Sequence, residues 1–175
     1  MTVSSDADRQ LALIVEVQDV ARELGIQVWL RGGWAMDFFL GRTTREHGDV
    51  DWFAWARDAP ALTAAFAARG FVRLARAPAE QQLDYTAGGV ELGFAFLARD
   101  PDGHVIVAGG PWAGSRWPEG MLETPPGKLG GVSCPIISPE AQIEIKLMTP
   151  TWMPQRPRRA KDLEDIERLR EGMAG

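Results

Sequence analysis

The sequence predicts an α+β (α/β) protein in which a small mixed sheet is flanked by helices and followed by a helical C-terminal part. Helix-type and strand-type apolar patterns alternate through the first half of the chain, and hairpin strands and then helices follow. The 175 residues are 45% hydrophobic and 25% charged, which suits one globular domain. We expect a single domain over residues 1–175, with an α/β core over about 1–137 and a helical segment over about 138–175.

The first half of the chain alternates helices and strands. Apolar residues recur at helical spacing from Leu11 to Leu24, with Ser4 or Ser5 as the N-cap and Gly25 at the end. Short runs rich in β-branched and aromatic residues indicate strands. In order, the sequence predicts a helix over 6–24, a strand over 26–31, a helix over 34–40, a strand over 49–55, a helix over 60–69 and a strand over 71–75.

The second half begins with a hairpin and ends with helices. The stretch LDYTAGGVELGFAFLA predicts two strands joined around Gly88-Gly89, and HVIVAG predicts another strand. Residues 109–135 are rich in glycine and proline and are predicted to be loop-like. Ser138-Pro139-Glu140 is a helix start, and we expect TPTWMPQRP to end that helix. RRAKDLEDIERLREGM predicts the final helix.

Composition and charge narrow the possible functions. The net charge of −5 counts against a nucleic-acid binder, which needs a basic surface. The chain has no apolar run long enough for a membrane span, and MTVSSDADRQ lacks the order of a signal peptide. With the single cysteine Cys134, these features favour the cytoplasm. Of the seven tryptophans, Trp112 and Trp117 lie in a Gly/Pro-rich stretch and could line a ligand pocket.

Two aspartates stand in the strand DVDWFAW. Asp49, Asp51 and Phe53 share one face of this strand, so the two carboxylates start about 7 Å apart at their Cα atoms. Buried unpaired carboxylates are costly, and a divalent cation between them would remove the repulsion. Hard oxygen ligands suit Mg²⁺. The alternative is a strand end at the surface, where water solvates both groups.

A glycine pair precedes this strand by one short helix. Gly32-Gly33 lies between a strand and a helix, where backbone N–H groups can meet phosphate oxygens, although a plain tight turn is the alternative. Combined with the aspartates, the pair could hold a metal-bound triphosphate. Glu91 could supply a third carboxylate if its strand neighbours DVDWFAW, and otherwise it is a solvated glutamate on a half-exposed sheet.

These motifs resemble a known family. GGWAMD followed by GRTTREHGDVD is similar to the nucleotidyltransferases that inactivate aminoglycosides and lincosamides, the aminoglycoside-2''-adenylyltransferase-like group of the polymerase-β-like superfamily. The resemblance is specific over residues 28–55 and looser through Glu91, Ser138-Pro139-Glu140, Lys146 and residues 159–162. It implies the polymerase-β-like nucleotidyltransferase fold. The wider superfamily usually has Ser or Thr where this chain has Trp34, but the drug-modifying group shares the tryptophan.

The resemblance implies a Mg²⁺-dependent enzyme. Asp49 and Asp51 would bind two Mg²⁺ ions, and Glu91 would ligate metal or act as general base, although aspartate is commoner at that place. An acceptor hydroxyl would attack the α-phosphate of a nucleoside triphosphate, ATP being the first candidate, and pyrophosphate would leave. The candidate nucleotide-binding residues are Gly32, Gly33, Trp34, Arg42, Arg45 and Lys146.

Several alternatives stay open from the sequence. Arg42, Arg45 and His47 could contact phosphates or pair with nearby acids, and Lys146 could be a solvated surface lysine. The small hydroxylated acceptor could be an aminoglycoside or a lincosamide. A non-catalytic nucleotide-binding protein and a nucleotidyltransferase toxin acting on a macromolecule are the rival functions. The base of the nucleotide, the hydroxyl attacked and the oligomeric state stay open.

Overall fold

The structure is a computed structural model that describes residues 5–152, 154–155 and 159–175. The helices are α1 Asp6–Leu24, α2 Gly32–Leu40, α3 Ala59–Ala68, α4 Pro139–Trp152 and α5 Ala160–Ala174. The strands are β1 Val28–Arg31, β2 Val50–Trp55, β3 Val72–Leu74, β4 Gln82–Ala87, β5 Val90–Arg99, β6 Val105–Val107, β7 Gly127–Leu129 and β8 Val132–Cys134. No helix in the described ranges is both long and apolar enough to cross a membrane.

The main sheet has the strand order β1-β2-β5-β4-β3, and β6 pairs with the far end of β5. The β2–β5 pair is parallel, whereas the other pairs in this sheet are antiparallel. The sheet is therefore mixed, as predicted. The central position of β5 brings β2 and β4 to either side of one strand, which decides which side chains meet over the sheet.

The two faces of the sheet have separate cores. Val50, Trp52 and Ala54 of β2 belong to the larger core, which includes buried residues of α1, α2 and α3. Phe53 and Trp55 belong to a smaller core with residues of β1, the loop after β6 and the start of α4. The predicted separation of odd and even residues in this strand is thus confirmed, and Asp51 lies on the face of the smaller core.

The helix boundaries follow their capping residues. Ser5 accepts a hydrogen bond from the Asp8 N–H at the start of α1, and Gly25 ends the helix in the left-handed conformation at φ 67°. Helix α2 begins directly at Gly32, without a side-chain cap, and Gly41 ends it at φ 73°. The predicted helix over 34–40 therefore starts two residues earlier, at the glycine pair itself.

One prediction in the second half was wrong. The stretch 109–135, predicted to be loop-like, contains the β7–β8 hairpin, which Gly130 and Gly131 turn at positive φ. Gly127 packs so closely on Phe38 of α2 that an added Cβ would lie 2.7 Å from the phenylalanine Cβ. Helix α4 ends at Trp152, inside the stretch TPTWMPQRP that was predicted to end it. Residue 153 and residues 156–158 of that stretch lie outside the described part of the chain.

Candidate functional site

A cavity of about 530 Å³ opens over the sheet beside Asp51. This volume falls within the usual size of small-molecule sites. Its polar lining includes four carboxylates and two guanidinium groups, and both tryptophans selected from the sequence form part of its wall, together with Trp52. These residues are Asp49, Asp51, Asp84, Glu91, Arg31, Arg76, Trp112 and Trp117. The structure therefore gathers the predicted acids and the predicted tryptophans in one cavity.

Asp51 is an acid of this cavity whose pKa is raised. Burial raises the pKa of its carboxyl to about 6, and the negative charge of Asp49 acts in the same direction. Asp84 adds a smaller contribution of the same sign, whereas the positive charge of Arg31 opposes it. Asp51 lies within β2, and Asp49 stands just before the strand and is exposed. A cation placed here would be attracted to both groups.

Arg31 is the residue of β1 in direct register with Asp51. Its guanidinium lies over the ring of Phe53, 4.5 Å from the centroid, and 5.7 Å from the ring of Trp117. Burial lowers the pKa of this guanidinium, and the charges of Asp51 and Asp49 work against that lowering. Sequence interpretation did not select Arg31, although it directly precedes the glycine pair.

Gly32 adjoins Asp51 at the start of α2. It has φ +70°, and a Cβ there would lie 3.4 Å from Asp51 Oδ2. The conformation favours glycine, because side chains are rarely tolerated at positive φ. The first N–H groups of this nine-residue helix have no partner within the helix. The predicted neighbourhood of a helix start and a metal-type carboxylate is therefore present.

Gly33 has a different neighbour. The ring of His47 and the guanidinium of Arg45 fill the space that a Cβ at residue 33 would need. His47 Nε2 lies 2.6 Å from Asp37 Oδ2, and Thr44 Oγ1 donates to Asp37 Oδ1 at 2.6 Å. The buried Asp37 of α2 thereby fixes the loop that leads to β2. Of the two alternatives left open for His47, the structure shows the pairing with a nearby acid.

Trp34 packs inside the protein rather than into the cavity. Its ring is buried against His47 and Phe38, and its Nε1 donates to Gln10 Oε1 at 3.0 Å. Gln10 Nε2 in turn donates to the backbone oxygen of His47 at 2.8 Å. The side chain proposed for nucleotide binding therefore joins α1, α2 and the loop before β2.

Arg45 and Lys146 also lie apart from the cavity lining. Both contact the fully buried carboxylate of Asp165 on α5, at 2.8 Å from Arg45 Nη2 and 3.2 Å from Lys146 Nζ. Burial raises the pKa of Asp165, but hydrogen bonds from Arg45 and the charge of Lys146 outweigh burial and hold it below its usual value. Arg42 is exposed on the same loop. In the structure the side chains of Arg45 and Lys146 thus pair with an acid, and their contact with phosphate stays a prediction.

Glu91 stands at the edge of the cavity, bound to an arginine. Arg76 Nη1 donates to Glu91 Oε2 at 2.9 Å and Arg76 Nη2 donates to Oε1 at 3.0 Å. These hydrogen bonds lower the pKa of the Glu91 carboxyl. The condition set for Glu91 is met, since β5 does pair with β2. Its side chain, however, is 43% exposed and both of its oxygens accept from Arg76.

Asp84 was missed by the sequence interpretation. It lies on β4 in register with Gly93 of β5, and Gly93 is in register with Asp51 of β2. A Cβ at Gly93 would lie 2.6 Å from Asp84 Oδ1 and 3.6 Å from Asp51 Oδ1. The alternation of polar Gln82, Asp84 and Thr86 with apolar residues in β4 was the available signal, but it does not reveal the neighbouring strands.

Another acidic cluster lies at the far end of β5. Asp100, Asp102 and His104 form, within the described residues, the group of three possible metal ligands whose atoms all lie within 4.8 Å of one another. Asp100 Oδ1 accepts the N–H groups of Asp102 and His104, as in a tight turn. Seven residues of strand and turn separate Asp100 from Gly93, about 23 Å at the usual rise per residue.

The fold defines the class of protein. The chain is similar to the lincomycin-bound lincosamide antibiotic adenylyltransferase LnuA, with 19% identity, a TM-score of 0.71, and coverage of 89% of this chain and 93% of LnuA. It is also similar to ANT(2'')-Ia in complex with adenylyl-2''-tobramycin, with 22% identity, a TM-score of 0.74, and coverage of 94% and 90%. At these identities the likeness shows the nucleotidyltransferase fold, as predicted.

The chain belongs to the aminoglycoside-2''-adenylyltransferase family, whose model matches residues 13–167. It is 45% identical over 42 residues to 2''-aminoglycoside nucleotidyltransferases of Klebsiella pneumoniae and Escherichia coli. That stretch is 24% of this chain and 24% of each relative, so the chain matches about a quarter of the length of these curated relatives. The predicted family is confirmed. The roles of individual residues stay predictions.

Proposed function

We propose that the protein transfers a nucleoside monophosphate from a Mg²⁺-bound nucleoside triphosphate, ATP first among the candidates, to a hydroxyl of a small acceptor. The observation that carries this proposal is the position of Asp51. Its half-buried carboxyl lies beside Asp49, against the start of α2, in a cavity of about 530 Å³. Such a carboxylate pair is costly without a cation and suits one that also binds phosphate.

The carboxylates present fit Mg²⁺. Asp49 and Asp51 offer only hard oxygen atoms, and the raised pKa of Asp51 reflects burial first and then the negative charge of Asp49. These two residues would hold the ions. Bound Mg²⁺ ions supply charge stabilisation to the attacking and leaving oxygens of an in-line displacement.

The chain's own cations face the triphosphate. Arg31 is held by Phe53 and Trp117 beside the aspartates, and Arg76, which pairs with Glu91, lines the same cavity. Guanidinium groups suit phosphate oxygens, and the free N–H groups at Gly32 add donors. Arg45 and Lys146 serve at a distance, because Asp165 binds them and they fix the loop before β2.

The cavity fits a cationic, hydroxylated acceptor. Its carboxylates outnumber its guanidinium groups, and Trp112 and Trp117 offer apolar faces for a sugar or ring. The two solved relatives carry adenylyl-2''-tobramycin and lincomycin. We propose an aminoglycoside or a lincosamide as the acceptor class, because the net charge of −5 favours a cationic drug over nucleic acid. We propose the cytoplasm as the site of action.

Calorimetry with Mg²⁺ and each of ATP, GTP, CTP and UTP tests the nucleotide site. We expect Mg²⁺-dependent binding in the wild type and none in Asp49→Ala/Asp51→Ala. Asp100→Ala/Asp102→Ala is the matched control, because it removes the same two carboxylates from the other acidic cluster and should bind normally. A wild type that binds no triphosphate, with tobramycin or lincomycin present or absent, contradicts the proposal.

Transfer is then measured by mass spectrometry of the acceptor. The expected product carries one added nucleoside monophosphate, with one pyrophosphate released for each product molecule. Binding without transfer to any hydroxylated acceptor would favour the non-catalytic alternative. Growth arrest on expression that Asp51→Ala abolishes, in the absence of drug, would favour the toxin alternative.

A further inference from the structure

We propose that Asp84, delivered from β4 across Gly93, is the catalytic residue that takes the proton from the acceptor hydroxyl, in place of Glu91. The inference rests on the proposed function and deepens it. It follows from three features of the cavity: the register of three neighbouring strands, the absence of a side chain at residue 93, and the different partners of the two candidate acids.

The register places Asp84 and Asp51 on the same face of the sheet. Each is the direct partner of Gly93, one from β4 and the other from β2. Direct cross-strand partners point to the same face, so both carboxylates stand over the glycine. Two strand spacings separate their Cα atoms by about 10 Å, and both side chains lean into this gap. The two carboxylates therefore border the same part of the cavity.

The absence of a side chain at Gly93 leaves the space that the Asp84 carboxylate occupies. An added Cβ would lie 2.6 Å from Asp84 Oδ1, closer than real Cβ atoms approach, and 3.2 Å from Gln82 Nε2, which is a tight contact. Any larger residue at 93 would therefore occupy the place that the Asp84 carboxylate now holds. A glycine in the middle of the ten-residue β5 weakens the strand, and close approach of another group is a common reason for it.

Gln82 orients the Asp84 carboxylate. Gln82 Nε2 donates to Asp84 Oδ1 at 2.8 Å from the same face of β4. This hydrogen bond fixes the orientation of one carboxylate oxygen and leaves the other, Oδ2, to accept a proton. Both residues line the cavity, so the carboxylate faces the space where substrates bind.

Glu91 is held in a way that suits another task. Both of its oxygens accept hydrogen bonds from Arg76, at 2.9 and 3.0 Å. To accept a proton it would have to break this pairing, whereas Asp84 needs no such step. Glu91 also lies two residues from Gly93 toward the mouth of the cavity, in register with Thr86 rather than with Asp84.

The proposed step forms one bond at phosphorus and breaks one. The acceptor oxygen forms a bond to the α-phosphorus, and the bond from that phosphorus to the bridging oxygen breaks. Pyrophosphate leaves with the electron pair of the broken bond. The hydroxyl proton passes to the Asp84 carboxylate and then to water, so the enzyme returns to its starting state.

The test compares Asp84→Asn with Glu91→Gln, which make the same carboxylate-to-amide change. Both are measured for Mg-ATP binding by calorimetry and for kcat with tobramycin and lincomycin as acceptors. We expect Asp84→Asn to lower kcat about a hundredfold or more, with the ATP Kd within about threefold of wild type. Glu91→Gln should keep kcat within about fivefold. Full activity of Asp84→Asn, or a larger loss in Glu91→Gln, overturns the inference.

A carboxylate exchange tests the position itself. Asp84→Gly alone should lose transfer, and Asp84→Gly combined with Gly93→Asp should regain at least about tenfold, because the new side chain enters the vacated space. A folded double variant without any gain overturns the placement across Gly93. A wild type without Mg-ATP binding contradicts the proposed function, whereas an active wild type with an equally active Asp84→Asn contradicts this inference alone.

Discussion

Arg45 donates two hydrogen bonds to the buried Asp165, from Nε at 3.1 Å and from Nη2 at 2.8 Å, across 120 residues of sequence. The pair joins the loop before β2 to α5, and Lys146 of α4 binds the same carboxylate. Removal of a buried acid that has several cationic partners is strongly destabilising, because the partners are left as uncompensated charges. The helical C-terminal part is therefore coupled to the strand that carries Asp51.

Asp165→Asn should lower the free energy of unfolding by about 3 kcal/mol at pH 7. The cations hold the pKa of Asp165 below its usual value, so the stability it contributes is present above the unfolded-state pKa and lost as pH falls through the lowered pKa. The difference in the free energy of unfolding between the variant and the wild type should thus be smaller at about pH 3 than at pH 7. Urea denaturation at pH 7 and pH 3 measures it.

Glu164→Gln is the matched control for this prediction. It removes one negative charge from the neighbouring position of α5, where the side chain is 62% exposed. Its effect should stay within about 0.5 kcal/mol. Equal losses in both variants, or a loss for Asp165→Asn that does not depend on pH, would contradict the role given to the buried pair.

The short-range features of this site were predictable from the sequence. Gly32-Gly33 and Asp49-Val50-Asp51 are local patterns, and the helix start and the strand face that they imply depend only on backbone geometry. Both are present in the structure. The β7–β8 hairpin was missed because its glycine-rich and proline-rich sequence was interpreted as a loop.

The long-range features were not predictable in the same way. Asp84 and Glu91 each occupy a polar position between apolar residues of their strands. Strand order and register, however, decide which of the two acids faces Asp51. Arg45 and Lys146 looked suited to phosphate because each is a cation near the motif in sequence. Their partner, Asp165, is brought in by the packing of α5, which no local pattern encodes.

Gly33→Ala should destabilise the protein by about 2 kcal/mol and weaken Mg-ATP binding. The added methyl group would meet the His47 ring, which cannot move away freely because it is 3% exposed and bound to Asp37. Displacing His47 would shift the loop that carries Asp49. Thermal unfolding and calorimetry measure the two effects.

Gly48→Ala is the control for this substitution. Gly48 lies on the same loop, and nothing stands within 4 Å of its added Cβ. It should fold and bind Mg-ATP as the wild type does. If Gly33→Ala behaves like this control, the packing of His47 on Gly33 does not position the loop.

Mg²⁺ should stabilise the protein more at pH 7.5 than at pH 5. Burial raises the pKa of Asp51 to about 6, so without metal the stability that its protonated form provides is complete below pH 4 and lost as pH rises through 6. The loss is on the order of 2 kcal/mol. Mg²⁺ binds the ionised form of Asp51 and offsets this loss of stability. Thermal unfolding with and without Mg²⁺ across this pH range measures the effect.

Asp51→Asn separates this explanation from general salt effects. Removal of the charge should make the metal-free protein more stable than wild type at pH 7.5 and abolish the pH-dependent response to Mg²⁺. Asp102→Asn, in the other acidic cluster, should leave that response unchanged. A response to Mg²⁺ that follows Asp102 instead would place the ion in the turn after β5.

Trp112→Ala should weaken acceptor binding without weakening nucleotide binding. Trp112 lines the cavity and is 44% exposed, so its ring is open to a ligand, whereas Trp117 packs on Phe53 and Arg31. Loss of one aromatic contact should raise the acceptor KM about tenfold, with kcat and the Kd for Mg-ATP nearly unchanged. Leu163→Ala, at an exposed apolar residue of α5, should change neither value. A fall in kcat with an unchanged KM would instead place Trp112 at the reacting groups.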